Sequence, residues 1–283
     1  MKKKDTIDKH TKIANNIMYY IYKYIDTDIN LDDLSIELDV SKYHMHRIFK
    51  KEFKQNIYES IMSIRLQKAS NLLLTNKNST ITEIAKMCGY SAQGAFIRVF
   101  KQKFNMTPKQ WRNGEYKEFT KHFKSSDKFK QLKPKIEKLA SFDLYYIRHK
   151  GYDKSINDTW QKLQTWLLCN DIEDYKQIGL HHDNPTITPL DECRYIACIS
   201  IENKQKSLNL PTLTMPKGVY ARFDFSGEYG DIMEFMNWVY FDWLVNSGYE
   251  TTTNPSFAVY EKNHFLEDDA KFRVNYYIPI TTH

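Results

Sequence analysis

Ile84-Ala85-Lys86-Met87-Cys88-Gly89-Tyr90-Ser91, followed by Phe96-Ile97-Arg98-Val99-Phe100-Lys101 and then Phe104, decides how this chain is read. A short apolar stretch runs into a tight turn at Gly89, and the residues beyond it place apolar side chains at helical spacing. The pattern also stands about fifty residues earlier, as Leu34-Ser35 and Leu38-Asp39-Val40-Ser41, then Arg47-Ile48-Phe49-Lys50 and Phe53. Each copy predicts a short helix, a tight turn opened by Gly89 or Asp39, and a second helix capped by serine. That is a helix-turn-helix, whose second helix can enter a DNA major groove. Two copies in one chain predict a polypeptide that reads two successive grooves without dimerising.

The flanks support this. Ile13, Ile17, Ile21 and Ile25 form an apolar stripe, which predicts a first helix over about residues 7–25. Asn30-x-x-Asp33 and Thr80-x-x-Glu83 read as capping boxes ahead of the first helix of each copy. Thr107-Pro108-x-Gln110 places a capping threonine before a proline at a first helical position. Residues 57–75, with Ile57, Ile61, Ile64, Leu66, Ala69, Leu72 and Leu73, predict a long amphipathic helix between the copies. Its roughly 19 residues span about 28 Å. With its flanking turns it can hold two reading helices near the ~34 Å that separates adjacent major grooves on one side of a duplex.

The net charge of +6 conceals an asymmetry. Residues 1–134 hold 26 Lys and Arg against 14 Asp and Glu, whereas residues 135–283 hold 15 against 21. A basic half meets a polyanion; the acidic half has a different task. Cys88, Cys169, Cys193 and Cys198 show no metal-ligand spacing and predict reduced, buried thiols in a cytoplasmic protein. No apolar run is long enough for a bilayer, and the basic Met1-Lys2-Lys3-Lys4 is followed by no apolar signal core, so neither membrane insertion nor export is expected.

Residues 114–134 carry nine charges and end at Pro134. They divide the chain into a DNA-binding domain (1–113), a charged linker (114–135) and a second domain (136–283). Beyond the linker the period changes. Strands are expected at Phe142–His149, Lys176–His182 and Arg194–Ile201, with a helix at Asp153–Asn170; then a strand at 218–226, a helix at 229–246, and strands near 256–261 and 271–280. Gly151, Ile156, Leu163 and Leu167 align with Gly227, Ile232, Val239 and Trp243 at one constant offset. The fold class expected is therefore multidomain: an all-α double helix-turn-helix domain, then an α+β domain built from a duplicated βαββ unit.

On the first reading helix, Met45, Ile48, Phe49 and Phe53 are expected to face the core, leaving Tyr43, His46, Arg47 and Lys50 outward. An offset of fifty-one residues gives Gly94, Ile97, Arg98 and Lys101 in the second copy, with Gln93 just before them. Arg47 and Arg98 suit guanine and Gln93 suits adenine; His46 suits base edges or phosphate. Lys50 and Lys101 suit phosphates. Gly94 and Ile97 offer no hydrogen bond, so the second helix is the weaker reader.

Residues 31–112 resemble the DNA-binding domain of the AraC family of bacterial transcription regulators. The resemblance is carried by Ile84-Ala85, Gly89-Tyr90-Ser91, Phe96-x-Arg98-x-Phe100-Lys101, Phe104, Thr107-Pro108 and Trp111-Arg112. It implies that Tyr43, His46 and Arg47, and then Gln93 and Arg98, occupy base-contacting positions, while Gly94 and Ala95 depart from the polar residues often found there.

Residues 136–283 resemble the GyrI-like effector-binding domain in Ile147-Arg148-His149-Lys150-Gly151-Tyr152, Ile178-Gly179-Leu180-His181-His182-Asp183-Asn184-Pro185, Ser226-Gly227-Glu228-Tyr229-Gly230-Asp231-Ile232 and Tyr276-Tyr277-Ile278-Pro279-Ile280. The resemblance implies an aromatic pocket between two halves that receives organic, often cationic, amphipathic molecules. Tyr145, Tyr152, Trp160, Tyr220, Tyr229 and Tyr260 are its candidate lining. Many relatives carry a buried glutamate two residues before the tyrosine of the penultimate strand; here that position is Ala258. A neutral ligand, a different acid or no small-molecule ligand remain open. His181-His182-Asp183 reads as a turn and not a metal site, since adjacent strand histidines point to opposite faces.

The expected function is a cytoplasmic, DNA-binding transcription regulator, leaning to activation through RNA polymerase. Its partners are double-stranded DNA and a small-molecule effector; no cofactor, metal, membrane partner or catalysis is expected. The alternatives are a second domain that hydrolyses small molecules, disfavoured by Ala258, or one that binds another protein.

Overall fold

The computed structural model describes residues 2–118, 127–202 and 209–282; part of the expected charged linker lies outside the described residues. The chain divides into two compact units, one of residues 1–70 and 80–108, the other of residues 71–79 and 109–283.

The first unit is helical. It contains α1 (Lys2–Lys23), α2 (Leu31–Glu37), α3 (Lys42–Phe53), the larger part of α4 (Ile57–Thr75), α5 (Ile81–Met87) and α6 (Gln93–Phe104); α7 (Pro108–Arg112) follows. The isoleucine stripe of α1 is buried with Leu31, Leu34, Met45, Ile48, Phe49, Ile57, Ile61 and Ile64 in one core. Phe53 is only half-buried, packed on Phe49 with ring centroids 4.7 Å apart. In the second copy, Phe100 and Phe104 repeat that pair at 4.6 Å.

Arg65 of α4 ties this unit together. Its Nε donates to the Ile25 carbonyl at 3.1 Å, its Nη2 donates to the Thr27 carbonyl at 2.6 Å, and its guanidinium lies 5.7 Å from the Tyr90 ring centroid. One cation thus satisfies carbonyls beyond the end of α1 and stacks on the turn of the second copy.

The second unit is a nine-stranded antiparallel sheet with helices. Its strands are β1 (Lys135–Leu139), β2 (Phe142–Lys150), β3 (Lys176–His181), β4 (Arg194–Ser200), β5 (Thr212–Met215), β6 (Gly218–Glu228), β7 (Glu250–Thr251), β8 (Ser256–Lys262) and β9 (Lys271–Thr281). The main order is β1-β6-β9-β8-β3-β4-β2-β5, with β7 beside β9. Two runs share a strand–helix–strand–strand order, the second interrupted by the two-residue β7 between its helix and β8. The run β2–α8–β3–β4, with α8 at Ile156–Cys169, pairs as β2-β4-β3; the run β6–α9–β8–β9 pairs as β6-β9-β8. The two meet where β3 pairs with β8. α9 (Asp231–Trp238) continues through a π-helical stretch, Val239–Trp243, to Leu244–Asn246.

α8 packs on β2 and β4, and α9 packs on β6. Ile156, Trp160, Leu163 and Leu167 of α8 share a core with Ile232, Phe235, Met236 and Val239 and with alternate residues of the sheet. At the aligned glycines the two halves differ. Gly151 has φ +101°, but in the second half the positive φ belongs to Gly230 (+103°) and not Gly227. The segment Asn71–Ser79 belongs to this unit. Fully buried Asn76 donates to the Thr251 carbonyl at 2.9 Å and accepts from the Thr251 N–H at 3.0 Å.

The thiol expectation needs one correction. Cys88, Cys193 and Cys198 are buried, but Cys169 is exposed, because it ends α8 beside the equally outward Leu168. No helix among the described residues is long and apolar enough to cross a membrane.

Candidate DNA-reading surface and effector pocket

The two turns repeat bond for bond. Leu38 N–H donates to Leu34, Asp39 to Ile36 and Val40 to Ser35; Cys88 donates to Ile84, Gly89 to Lys86 and Tyr90 to Ala85. All of these pairs are related by an offset of fifty. Both turns open on a left-handed residue, Asp39 at φ +51° and Gly89 at +76°. At Gly89 a Cβ would lie 2.5 Å from Arg65 Nη2 and 2.7 Å from the Ile25 carbonyl, so glycine is needed for space as well as conformation.

Within the reading helices the offset is fifty-one. Met45 N–H donates to Ser41 and Phe96 N–H to Ala92, and the helices end on left-handed Lys54 and Asn105. One residue has been inserted between turn and helix. Its consequence corrects the expectation of two serine caps. Ser41 caps α3, its Oγ accepting from His44 N–H at 3.3 Å, but the cap position of α6 is Ala92, with no side-chain cap, and Ser91 stands one residue outside. Of the two expected capping boxes, Thr80–Glu83 is complete, at 2.6 and 3.1 Å. Asn30 instead caps through Asp32 N–H at 2.9 Å.

Tyr43, Arg47 and Lys50 are exposed on α3 and His46 is half-buried against Tyr58, with ring centroids 5.6 Å apart. Gln93, Gly94, Arg98 and Lys101 are exposed on α6, with Ile97 half-buried. Beside α3 lies a cleft of about 600 Å³ lined by Lys9, His10, Asp39, Ser41 and His44, among others. Arg47 Nη2 lies 3.0 Å from His44 Nδ1, and desolvation, then the Arg47 charge, lowers the His44 pKa. A neutral His44 accepts from Arg47 and steadies its guanidinium. His44 and His10 were not among the candidates; the spacing His44-x-x-Arg47 on a helix was the available signal.

In the second unit, four of the six candidate aromatics come together. Trp160 Nε1 donates to Tyr195 Oη at 3.1 Å, and the Tyr195 and Tyr260 hydroxyls are 3.4 Å apart. Tyr152 lies against Tyr195 and His181, with centroids 6.1 and 5.6 Å away. Tyr229 lies against His264 and Phe265 at 5.9 and 6.3 Å. Gly179 makes the tyrosine pair possible: a Cβ there would collide with Tyr195 Oη and come within 3.0 Å of Tyr260 Cε2.

The other two candidates lie elsewhere. Tyr145 stacks on Trp166 at 6.4 Å. Tyr220 packs on Phe257 and Tyr277, and its hydroxyl donates to the Pro216 carbonyl. It alternates with Ala221 and Phe223, which face the helices, so it faces the other side of the sheet.

The cluster includes residues outside the candidate set: His181, Tyr195, His264 and Tyr276. His181 ends β3 two residues from Gly179, on the same face, with Tyr195 and Tyr276 rings 5.4 and 5.5 Å away. Burial lowers the pKa of His181 to about 3 and of His264 to about 4, and raises Tyr152, Tyr260 and Tyr276 well above the usual tyrosine range. All five are neutral at pH 7. Asp183 beside His181 is buried, accepting from Arg194 N–H at 2.8 Å and Nε at 2.7 Å, which accounts for the turn as structure. No cluster suited to a metal ion occurs among the described residues.

Residues 132–281 match the family described as the GyrI-like small molecule binding domain, and residues 34–114 match a helix-turn-helix domain family. The xylose operon regulatory protein of Escherichia coli (strain K12) is 33% identical over 96 residues, which are 34% of this chain and 24% of that protein. The chain thus spans about a quarter of that relative's length. The probable transcription factor PqrA of Proteus vulgaris is 34% identical over 106 residues, covering 35% of this chain and 86% of that protein. The regulatory protein SoxS of Escherichia coli (strain K12) is 32% identical over 104 residues, covering 37% and 96%. By these matches the chain belongs to the AraC-type helix-turn-helix regulators, and its second unit belongs to the GyrI-like small-molecule binding family.

Proposed function

We propose that this protein regulates transcription by reading a short, asymmetric, two-part DNA site with α3 and α6, and by sensing a small organic molecule in the aromatic cluster of its second unit. The observation that carries the reading is the bond-for-bond repetition of the two turns, each followed by a helix with an exposed arginine at the same position, Arg47 and Arg98. Tyr43, His46, Arg47, Gln93 and Arg98 are the base readers, and Lys50 and Lys101 are phosphate anchors. Residues 1–113 are the DNA-binding domain, 114–135 the linker and 136–283 the sensor. Regulation is activation by contact with RNA polymerase, and an effector acts by favouring one of two arrangements of the protein.

The test compares the full chain with two variants on its selected DNA site. Arg47→Ala is expected to cost about 1–3 kcal/mol and to relax preference at one base position. Lys101→Ala is expected to weaken all sequences equally and to lower the salt slope by about one unit. Unchanged binding in both variants overturns the assignment of the reading faces.

A further inference from the structure

We infer that the effector is an uncharged, flat molecule bearing both donor and acceptor groups on its edge, gripped by the imidazoles of His181 and His264 among the surrounding tyrosines. The inference rests on the effector-sensing reading above and narrows it to a ligand class.

His181 and His264 are 4% and 7% exposed, and among the described residues His181 Nε2 and His264 Nδ1 are buried without a hydrogen-bond partner. Buried polar atoms in native cores are nearly always paired, so two orphaned ring nitrogens in one aromatic cluster mark a place for polar ligand atoms. A neutral imidazole presents one N–H donor and one acceptor nitrogen. A carbonyl and an N–H or O–H on one flat ring system complement such a pair, and the tyrosine faces cover its apolar surface.

Charge is excluded by the walls. The hydrogen bonds and ring contacts of the cluster involve no carboxylate among the described residues. Ala258 is fully buried on β8, in register with Gly179 on one side and Tyr276 on the other, so the floor is apolar. At the rim, Lys154 Nζ lies 5.7 Å from the Tyr229 ring centroid and the Asp153 carboxylate also acts on Tyr229, so the charges of both signs stand outside the cluster. A buried cation would rely on ring faces alone for its lost hydration, and a buried anion would find no cation inside.

Tyr260 also lines a cavity of about 330 Å³, within the size range of small-molecule sites. It is lined by the carboxylates Glu173, Glu261 and Glu267, of which Glu261 meets Asn275 and Arg273 and Glu267 meets Lys262. The cavity is a polar approach to Tyr260, and the inner cluster is the uncharged seat.

The test uses three probes of one ring shape on the full chain at pH 7.5: acridone, 10-methylacridinium and acridine-9-carboxylate, with binding followed by probe fluorescence. Acridone is expected to bind at least tenfold tighter than either charged probe. His181→Phe and His264→Phe are each expected to weaken acridone about tenfold and to leave 10-methylacridinium within twofold. If a variant fails to fold, ¹⁵N resonances of the imidazoles in the unaltered chain decide, since acridone must shift both His181 and His264. The inference is overturned if 10-methylacridinium binds as tightly as acridone, if acridone does not saturate, or if it saturates and leaves His181 or His264 unmoved. A thermal-shift panel of lipophilic cationic dyes separates the two levels of failure. Stabilisation by a cation overturns the uncharged class and keeps the effector reading, whereas no binding in either set overturns both.

Discussion

Acidification tests the buried imidazoles without reference to any ligand. In the unfolded chain a histidine titrates near pH 6.5. In the fold, burial holds His181 near 3 and His264 near 4. Because both folded values are depressed, their contribution to stability is complete above pH 6.5 and is lost as pH falls toward the folded values. At pH 4.5 the unfolded chain has bound both protons, whereas in the fold His181 is almost unprotonated and His264 only about a quarter protonated. Two pH units at about 1.4 kcal/mol per unit give roughly 2–3 kcal/mol for each ring, or about 5 kcal/mol together. That is a large share of the 5–15 kcal/mol that typically holds a domain. Neighbouring groups do not blur the window, since Tyr152, Tyr195, Tyr229, Tyr260 and Tyr276 stay neutral throughout it. All five tryptophans lie in the second unit, so tryptophan fluorescence during urea unfolding reports on it. Between pH 7.5 and 4.5 the unaltered chain is expected to lose about 5 kcal/mol more than the His181→Phe/His264→Phe chain. At a slope of roughly 2 kcal/mol/M that is about 2.5 M urea in midpoint. Equal losses would refute the reasoning, because the remaining carboxylates and histidines are common to both proteins.

Three further substitutions probe the helix-turn-helix copies, with Gly248→Ala in the second unit as a control. Gly89→Ala places a Cβ against Arg65 and the Ile25 carbonyl at positive φ and is expected to cost about 1–3 kcal/mol in a thermal melt followed by helix circular dichroism. Gly248→Ala, also at positive φ but with open space around the new atom, is expected to cost less, and equal costs would show that crowding at Gly89 is unimportant. Ser41→Ala removes the cap of α3 and is expected to cost about 1 kcal/mol, whereas Ser91→Ala is expected to be near neutral. The reverse order would contradict the inserted-residue account.

Much of the first unit was legible because its signals are local. Glycine or aspartate at a left-handed turn, a capping box and apolar residues at helical spacing each act within a few residues. The Ser91 cap was misread because the repeat slips from fifty to fifty-one just there, and an alignment made on the turns carries the serine into the wrong place. The central strands were legible from apolar β-rich runs. β1 and β5 were not, since short and partly exposed edge segments such as Lys135–Leu139 pair through backbone atoms, and the buried β7 is only two residues long. In the aromatic cluster the sequence marked Tyr152, Trp160, Tyr229 and Tyr260. It did not mark His181, whose role depends on Gly179 opposite Ala258 and on Tyr195 and Tyr276 from two other strands. Tyr220 shows the converse: alternation along β6 places it on the other face from Phe223, and that parity depends on the start of a strand beginning at Gly218.

The central claim is that one chain reads two successive grooves. Selection of duplexes from a random DNA pool by the full chain tests it most directly. The account predicts an enriched site of two unlike short elements about ten base pairs apart, bound by a monomer. Enrichment of a single element, of a palindrome bound by a dimer, or of no sequence at all with only salt-sensitive binding would contradict it.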